Sequence, residues 1–253
     1  MEQSYRLGGG AFPTLIAIIS MFFVGVSGGA FDSMLSALLL TLFIVLGVCM
    51  TFLVSKALSM TVLKGIPSSF TLELPPYRRP QIGKVIVRSI FDRTLFVLGR
   101  AIAVAAPAGL LIWVMANVQV NGITLLAHCS GFLDPFARLL GMDGVILMAF
   151  ILGLPANEIV IPIIIMAYMA QGSLLEFDSL AQLRDLLVNN GWTWITAVST
   201  MLFSLMHWPC TTTLLTIRKE SGSLKWTAMS FLVPTVCGIV LCFAFATVAR
   251  MLV

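Results

Sequence analysis

Residues 34–55 read MLSALLLTLFIVLGVCMTFLVS, from Met34 to Ser55, and this run decides the fold. No side chain in it is charged, and it is long enough to cross a bilayer, which takes about 20 residues. Residues 11–31 form a second uncharged run before it, and Asp32-Ser33 between them predict a polar turn. The two runs predict a helical hairpin. Residues 101–120, with Pro107 inside, predict a third span. Residues 189–217, with His207 as their one titratable group, predict another, and residues 226–249 the last. Between 121 and 188 the apolar pieces are shorter, interrupted at Asp134-Pro135, Gly141-Met142-Asp143 and Gly153-Leu154-Pro155.

Composition agrees. Of 253 residues, 59% are hydrophobic and 10% charged, and the mean hydropathy is +1.02. Soluble domains carry about 25% charged residues, so a soluble enzyme is excluded. The net charge of +4 is small and its basic residues lie between apolar runs, which excludes a nucleic-acid-binding face. The fold class is an all-α polytopic helical membrane protein whose partner is the lipid bilayer. The five cysteines, Cys49, Cys129, Cys210, Cys237 and Cys242, show no paired spacing and read as buried free thiols.

Charge sets the orientation. Lys56, Lys64, Arg78, Arg79, Lys84, Arg88, Arg93 and Arg100 fall in one linker, and Arg218, Lys219 and Lys225 in the last short loop. Basic loops stay in the cytoplasm. Segment 121–188 must then return to the side it starts from. Two crossings satisfy this, and so do re-entrant hairpins; the interruptions favour at least one half-helix hairpin. Residues 82–98 read either as an amphipathic helix on the inner leaflet or as an extension of the third span.

Polar groups at membrane depth are functional hypotheses by default. The first cluster is Gly153-Leu154-Pro155-Ala156-Asn157-Glu158, closed by Pro162. Gly and Pro predict a chain break with Pro155 opening a helix. Asn157 and Glu158 would then occupy its first turn, where the dipole favours an acid, and Pro162 would free the carbonyl of Glu158. Broken helices of this kind build ion sites in transporters. The plainer reading is a helix start carrying a stabilising acid.

The second cluster is Ser204-Leu205-Met206-His207-Trp208-Pro209-Cys210-Thr211. On a continuous helix Thr200, Ser204, His207 and Thr211 would form a narrow polar stripe, with Cys210 one turn from His207 and Pro209 freeing the Leu205 carbonyl. Imidazole and thiolate suit a borderline metal such as Fe(II). Hydroxyl-glued helix packing is the plainer alternative. His128-Cys129 reads as structural or interfacial. No phosphate-binding GxxxxGK[ST] loop, HExxH or GxSxG occurs, so the chain is expected not to be an enzyme.

The chain resembles the C-terminal part of the bacterial ferrous iron transporter family FeoB. The resemblance rests on Leu63-Lys64-Gly65, on Thr71-Leu72-Glu73-Leu74-Pro75-Pro76-Tyr77-Arg78, on Leu154-Pro155-Ala156-Asn157-Glu158 and on the His207-Trp208-Pro209-Cys210 core. It implies Gate-type modules with broken helices: a stub over 1–12, a hairpin over 13–63 as the tail of a first Gate copy, a cytoplasmic linker over 64–83, and a second Gate module over 84–253. It implies Fe(II) as the transported ion, no permanently bound cofactor, and a multi-pass location in the bacterial inner membrane. The partner it implies is a GTPase and first-Gate polypeptide, or further copies of the chain. The resemblance carries over Asn157, Glu158, His207 and Cys210 to an ion path; the polar stripe adds Ser204 and Thr211, and the residue pattern sets helix breaks at Gly153, Pro155, Pro162 and Pro209, with Glu158, His207 and Cys210 as the expected metal ligands. A Gate transporter of a nucleoside-like solute and a non-transporting subunit from a split gene are the alternatives.

Overall fold

The computed structural model describes residues 11–23, 30–61, 83, 95–169 and 180–252. The linker over 64–83, most of the amphipathic stretch over 82–98 and most of the N-terminal stub lie outside the described residues. In order the chain forms α1 (Ala11–Phe22), α2 (Ala30–Thr61), α3 (Phe96–Asn117), a two-stranded ribbon of β1 (Gln119–Val120) and β2 (Ile123–Thr124), α4 (Leu125–Leu139) and α5 (Gly144–Leu152). A single 3-10 turn (Asn157–Ile159), α6 (Val160–Tyr168), α7 (Leu180–Asn189), α8 (Trp194–Met206), α9 (Thr211–Ser221) and α10 (Leu224–Leu252) follow.

Within α2 and α10, Ser33–Met60 and Leu224–Leu252 are each long and apolar enough to cross a membrane alone. Both expose large apolar side chains, among them Leu38, Phe52, Leu232 and Val240. In lipid such surface needs no cover. The packed core lies instead among α1, α5, α6 and α8, where Leu15, Ile18, Phe150, Ile164, Met201 and Phe203 are buried. α5 is apolar on every face, and seven of its nine residues are buried, so it is an interior helix.

α10 serves as a ruler. Over 29 residues it spans roughly 43 Å at 1.5 Å per residue, and Gly238 is near its midpoint. A Cβ on Gly238 would lie 3.2 Å from the Met206 carbonyl oxygen, so the end of α8 rests on the middle of α10. Farther along, Cys242 Sγ is 3.5 Å from the Ser199 carbonyl, the rings of Phe245 and Trp194 meet edge to face, and Arg250 donates to the Arg138 carbonyl. α8 therefore runs from the Arg250 end to mid-depth, and α9 lies along the Leu224 half.

The same ruler places α5 and α6. Asp143 and Tyr168, at their outer ends, join Trp192 beside the start of α8. At their inner ends, Leu154 meets Thr211. Both helices thus cover only the half between the Arg250 end and mid-depth, and the turn between them is the tip of a re-entrant hairpin. α4 meets α5 at a bend of 109°, so the two helices lie nearly perpendicular to each other. A Cβ at Gly144 would stand 1.9 Å from the Ser130 carbonyl oxygen, so only glycine permits this corner.

Several sequence expectations need correction. Of the five free cysteines only Cys242 is buried; Cys49 is exposed on the apolar surface of α2, and Cys129, Cys210 and Cys237 are half-buried. Asp32 and Ser33 do not form the first turn, because α2 already begins at Ala30. The third span stops at Asn117, where Asn121 and Gly122, at φ 55° and 79°, make the primed turn that a two-residue hairpin favours. Asp134-Pro135 does not interrupt α4. The Asp134 carboxylate takes Arg138 Nε at 2.6 Å and the Gly144 N–H at 3.0 Å, so the helix continues to the glycine corner. Residues 189–217 are not one continuous span: α8 ends at Met206, and α9 starts at Thr211.

Candidate functional site

Pro155 does not open a helix as the sequence suggested. It lies in a turn, Ala156 is extended, and the 3-10 turn starts at Asn157. A Pro at the first position suits a helix only if the chain enters it directly, and here the extended Ala156 intervenes. Asn157 and Glu158 do fall in the first turn, and Pro162 sits early in α6. Gly153 closes α5 and is buried.

The second cluster departs further from its predicted helical stripe. Pro209 has no N–H to continue the ladder, and the chain straightens: His207 caps α8 at ψ 174°, and Cys210 caps α9 at ψ 156°. His207 and Cys210 therefore flank an extended segment and are not one helical turn apart. Thr200 and Ser204 remain on α8, both buried, and the Thr200 hydroxyl donates to the Thr196 carbonyl at 2.8 Å.

The two breaks meet. Thr211 donates to the Leu154 carbonyl oxygen twice, from its N–H at 2.9 Å and from its hydroxyl at 3.1 Å. An unpaired carbonyl at mid-membrane costs several kcal/mol, and this contact satisfies the one exposed by the first break with donors exposed by the second. The Leu154 carbonyl is a component the side-chain pattern did not reveal; the Gly153–Pro155 interruption was its one signal.

His207 Nδ1 lies 2.7 Å from the Ser204 carbonyl oxygen. A carbonyl only accepts, so Nδ1 carries the proton and Nε2 keeps its lone pair. Nε2 is buried and unpartnered among the described residues, as is Asn157 Oδ1. Each break thus presents one unspent acceptor. Cys210 Sγ is 3.1 Å from the hydroxyls of both Thr212 and Thr213. Glu158 is exposed at the hairpin tip. Glu158, His207 and Cys210 do not gather into one ligand cluster: among the described residues no three His, Cys, Asp or Glu side chains are placed to hold a metal ion. Glu158 is exposed, and the extended Trp208-Pro209 segment lies between the other two.

Aromatic rings close over His207. Phe150 stands 5.4 Å from its ring and 4.8 Å from Phe203, centroid to centroid. Trp208 packs edge-on against Phe203 and flat against Phe231.

A hairpin of short helices whose tip abuts a broken helix defines a polytopic helical membrane protein; discontinuous helices of this kind are where many membrane proteins build their sites. Sequence comparison makes this specific. The Gate family model, described as nucleoside recognition, matches residues 98–224. The model for the C terminus of ferrous iron transport protein B matches residues 40–92. The chain belongs to the Gate family and corresponds to the C-terminal membrane part of FeoB. It is similar to proteins named Fe(2+) transporter FeoB: 30% identical over 220 residues to that of Staphylococcus aureus (strain MSSA476), covering 83% of this chain and 31% of the relative. For Campylobacter jejuni the identity is 24% over 261 residues, covering 96% and 40%. For Synechocystis it is 28% over 179 residues, covering 70% and 28%. The chain spans less than half the length of these curated relatives. No solved structure gives a significant match.

Proposed function

We propose that this chain forms part of a transmembrane path for Fe(II), with the two helix breaks as the place where the ion sheds water. The observation that carries this reading is the pair of unspent acceptors, Asn157 Oδ1 and His207 Nε2, on breaks that meet at mid-depth. A neutral imidazole and an amide oxygen suit a borderline divalent ion. Stripping such an ion of water costs many kcal/mol, so several ligands must replace it. Ser204, Cys210 and Thr211 stand beside His207 in the chain as further donors. A carboxylate at mid-depth is expensive in hydrocarbon. The exposure of Glu158 therefore supports a water-filled path, or another polypeptide, on that face.

Residues 13–63 act in this reading as the tail of one Gate copy and 84–253 as a second. A GTPase and first-Gate polypeptide, or further copies of this chain, would complete the path; the iron is cargo and no permanent cofactor is required. The basic loop at Arg218, Lys219 and Lys225 puts the Leu224 end in the cytoplasm, giving a multi-pass protein of the bacterial inner membrane with the Arg250 end outside. A nucleoside-like solute is the second reading, favoured by the description of the Gate model and by the ungathered ligand trio.

Fe(II) influx into proteoliposomes tests the first reading. Influx lost in His207→Ala and Asn157→Ala supports it. Nucleoside uptake without Fe(II) influx would establish the second. No flux of either from the correctly inserted chain would leave a partner subunit, and the test is then repeated with the first-Gate polypeptide present.

A further inference from the structure

A cavity of about 370 Å3 opens at the Arg250 end, lined by Asp143, Asn190, Thr193, Thr196 and the two arginines Arg138 and Arg250. From it α8 descends through Thr196, Thr200 and Ser204 to His207. Ser199 adds a buried hydroxyl with no partner among the described residues. Thr200 and Ser204 are themselves buried, and one level of this face is aromatic. Phe203 lies one turn above His207 on α8, and Phe150 lies one turn above Leu154 on α5. Both are 1% exposed or less, and their rings meet edge to face. Rings in this position exclude water from the segment between cavity and break.

What holds Phe150 there is the base of the hairpin. Asp143 caps α5, accepting the Ile146 N–H at 2.8 Å, and accepts the hydroxyl of Tyr168, the last residue of α6. One carboxylate thus ties the first residue of the hairpin to its last. The Tyr168 oxygen in turn accepts Trp192 Nε1 at 2.8 Å, and the Trp192 ring stacks on Phe22 of α1. The hairpin is therefore clasped at its base to α1 and α8, independently of the Leu154–Thr211 bond at its tip.

We propose that Phe150 and Phe203 form a closed outer gate between the Arg250-end cavity and His207, and that Tyr168, acting through Asp143, is the positioning residue that keeps the gate shut. The inference rests on the reading of the helix breaks as a transport path. Hydrophobic constrictions gate by excluding water, and an aromatic pair on a movable hairpin can do so reversibly.

The native Cys210 reports on it. In a Cys49→Ala, Cys129→Ser, Cys237→Ser background, right-side-out vesicles are treated with a membrane-impermeant thiol reagent, and modification of Cys210 and Cys242 is followed by peptide mass. Cys242 is fully buried on α10 and serves as the control for general loosening. Phe150→Ala is expected to raise the Cys210 rate by about tenfold or more. Tyr168→Phe, which keeps the ring, is expected to raise it a few-fold, as is Asp143→Ala; Asp143→Asn keeps one oxygen for the Ile146 N–H but sets an NH2 where Tyr168 donates, so it is expected to raise the rate as well. Cys242 stays unmodified throughout. A Cys210 rate unchanged in Phe150→Ala and Tyr168→Phe, or a Cys242 rate rising in step with it, overturns the proposal. The assay contains no iron, so failed Fe(II) influx with the expected thiol pattern would defeat the cargo assignment and leave the gate standing.

Discussion

Thr211 and Leu154, fifty-seven residues apart, are joined by two hydrogen bonds to a single carbonyl oxygen. This one contact fixes the tip of the α5–α6 hairpin against the break before α9. It also sets the depth of both polar clusters, because the adjacent end of α8 rests on the middle of α10.

Thr211→Val removes the hydroxyl bond and keeps the backbone one. A neutral hydrogen bond contributes about 0.5–1.5 kcal/mol net, so detergent-solubilised Thr211→Val should lose stability by about that amount. Thr211→Ser should match the parent protein. A thermal melt comparing the three checks this, and equal melting of Val and parent would show that the backbone bond alone holds the tip.

Gly144→Ala should be far more damaging. Its Cβ would overlap the Ser130 carbonyl oxygen at 1.9 Å, and that atom belongs to the backbone of α4. The corner must open, which separates α4 from α5 and breaks the Asp134–Gly144 bond. Large destabilisations arise from such named causes, on the order of 4 kcal/mol or more. Size-exclusion chromatography should show little monodisperse protein. Gly238→Ala, whose Cβ would meet Met206 at a less severe 3.2 Å, should express and cost about 1–3 kcal/mol, the range for overpacking.

The helical membrane class was legible because hydropathy over a span reports a single fact, that no water is available to solvate a charge. The re-entrant hairpin was half legible: Gly153 and Pro155 marked the interruption, and parity required 121–188 to return. Neither says which surface the tip touches, since Leu154 offers only its backbone. The stripe through Thr200, Ser204, His207 and Thr211 failed for a definite reason. It assumed 3.6-residue periodicity across Pro209, whereas the chain extends there and changes the direction of every following side chain. Asp134-Pro135 failed the opposite way: the same residue types that break a helix elsewhere were absorbed because the aspartate had two local donors. Asp143, Tyr168 and Trp192 were invisible because their association depends on a hairpin closing on itself.

His207→Gln tests the role of the unspent lone pair. Glutamine can still donate to the Ser204 carbonyl but offers an amide oxygen or nitrogen, not an imidazole. If Nε2 contacts the passing ion, Fe(II) influx should fall by about ten- to a hundredfold, as for loss of a metal-site partner. The thermal melt should move little compared with His207→Ala. Influx at the parent level in His207→Gln would mean that imidazole chemistry is not used.

The orientation of α4 gives the last prediction. Phe132, Phe136 and Leu139 are 85%, 45% and 49% exposed, and their spacing of four and three puts them on one helical face. The opposite side carries the buried Leu126, Ser130 and Ala137. With α5 running from the Arg250 end toward mid-depth, the 109° bend lays α4 along the outer interface. Such a helix sinks its apolar face only about 5–10 Å into the headgroup and acyl boundary. A tryptophan at position 132, read as the difference in quenching from the parent protein with its five native tryptophans kept, should therefore be quenched most by lipids brominated near the glycerol end of the chain. Quenching greatest from bromines near the bilayer centre would place α4 across the membrane. The α4–α5 pair would then be a kinked span, and the two-sided parity that makes α5–α6 re-entrant would have to be redrawn.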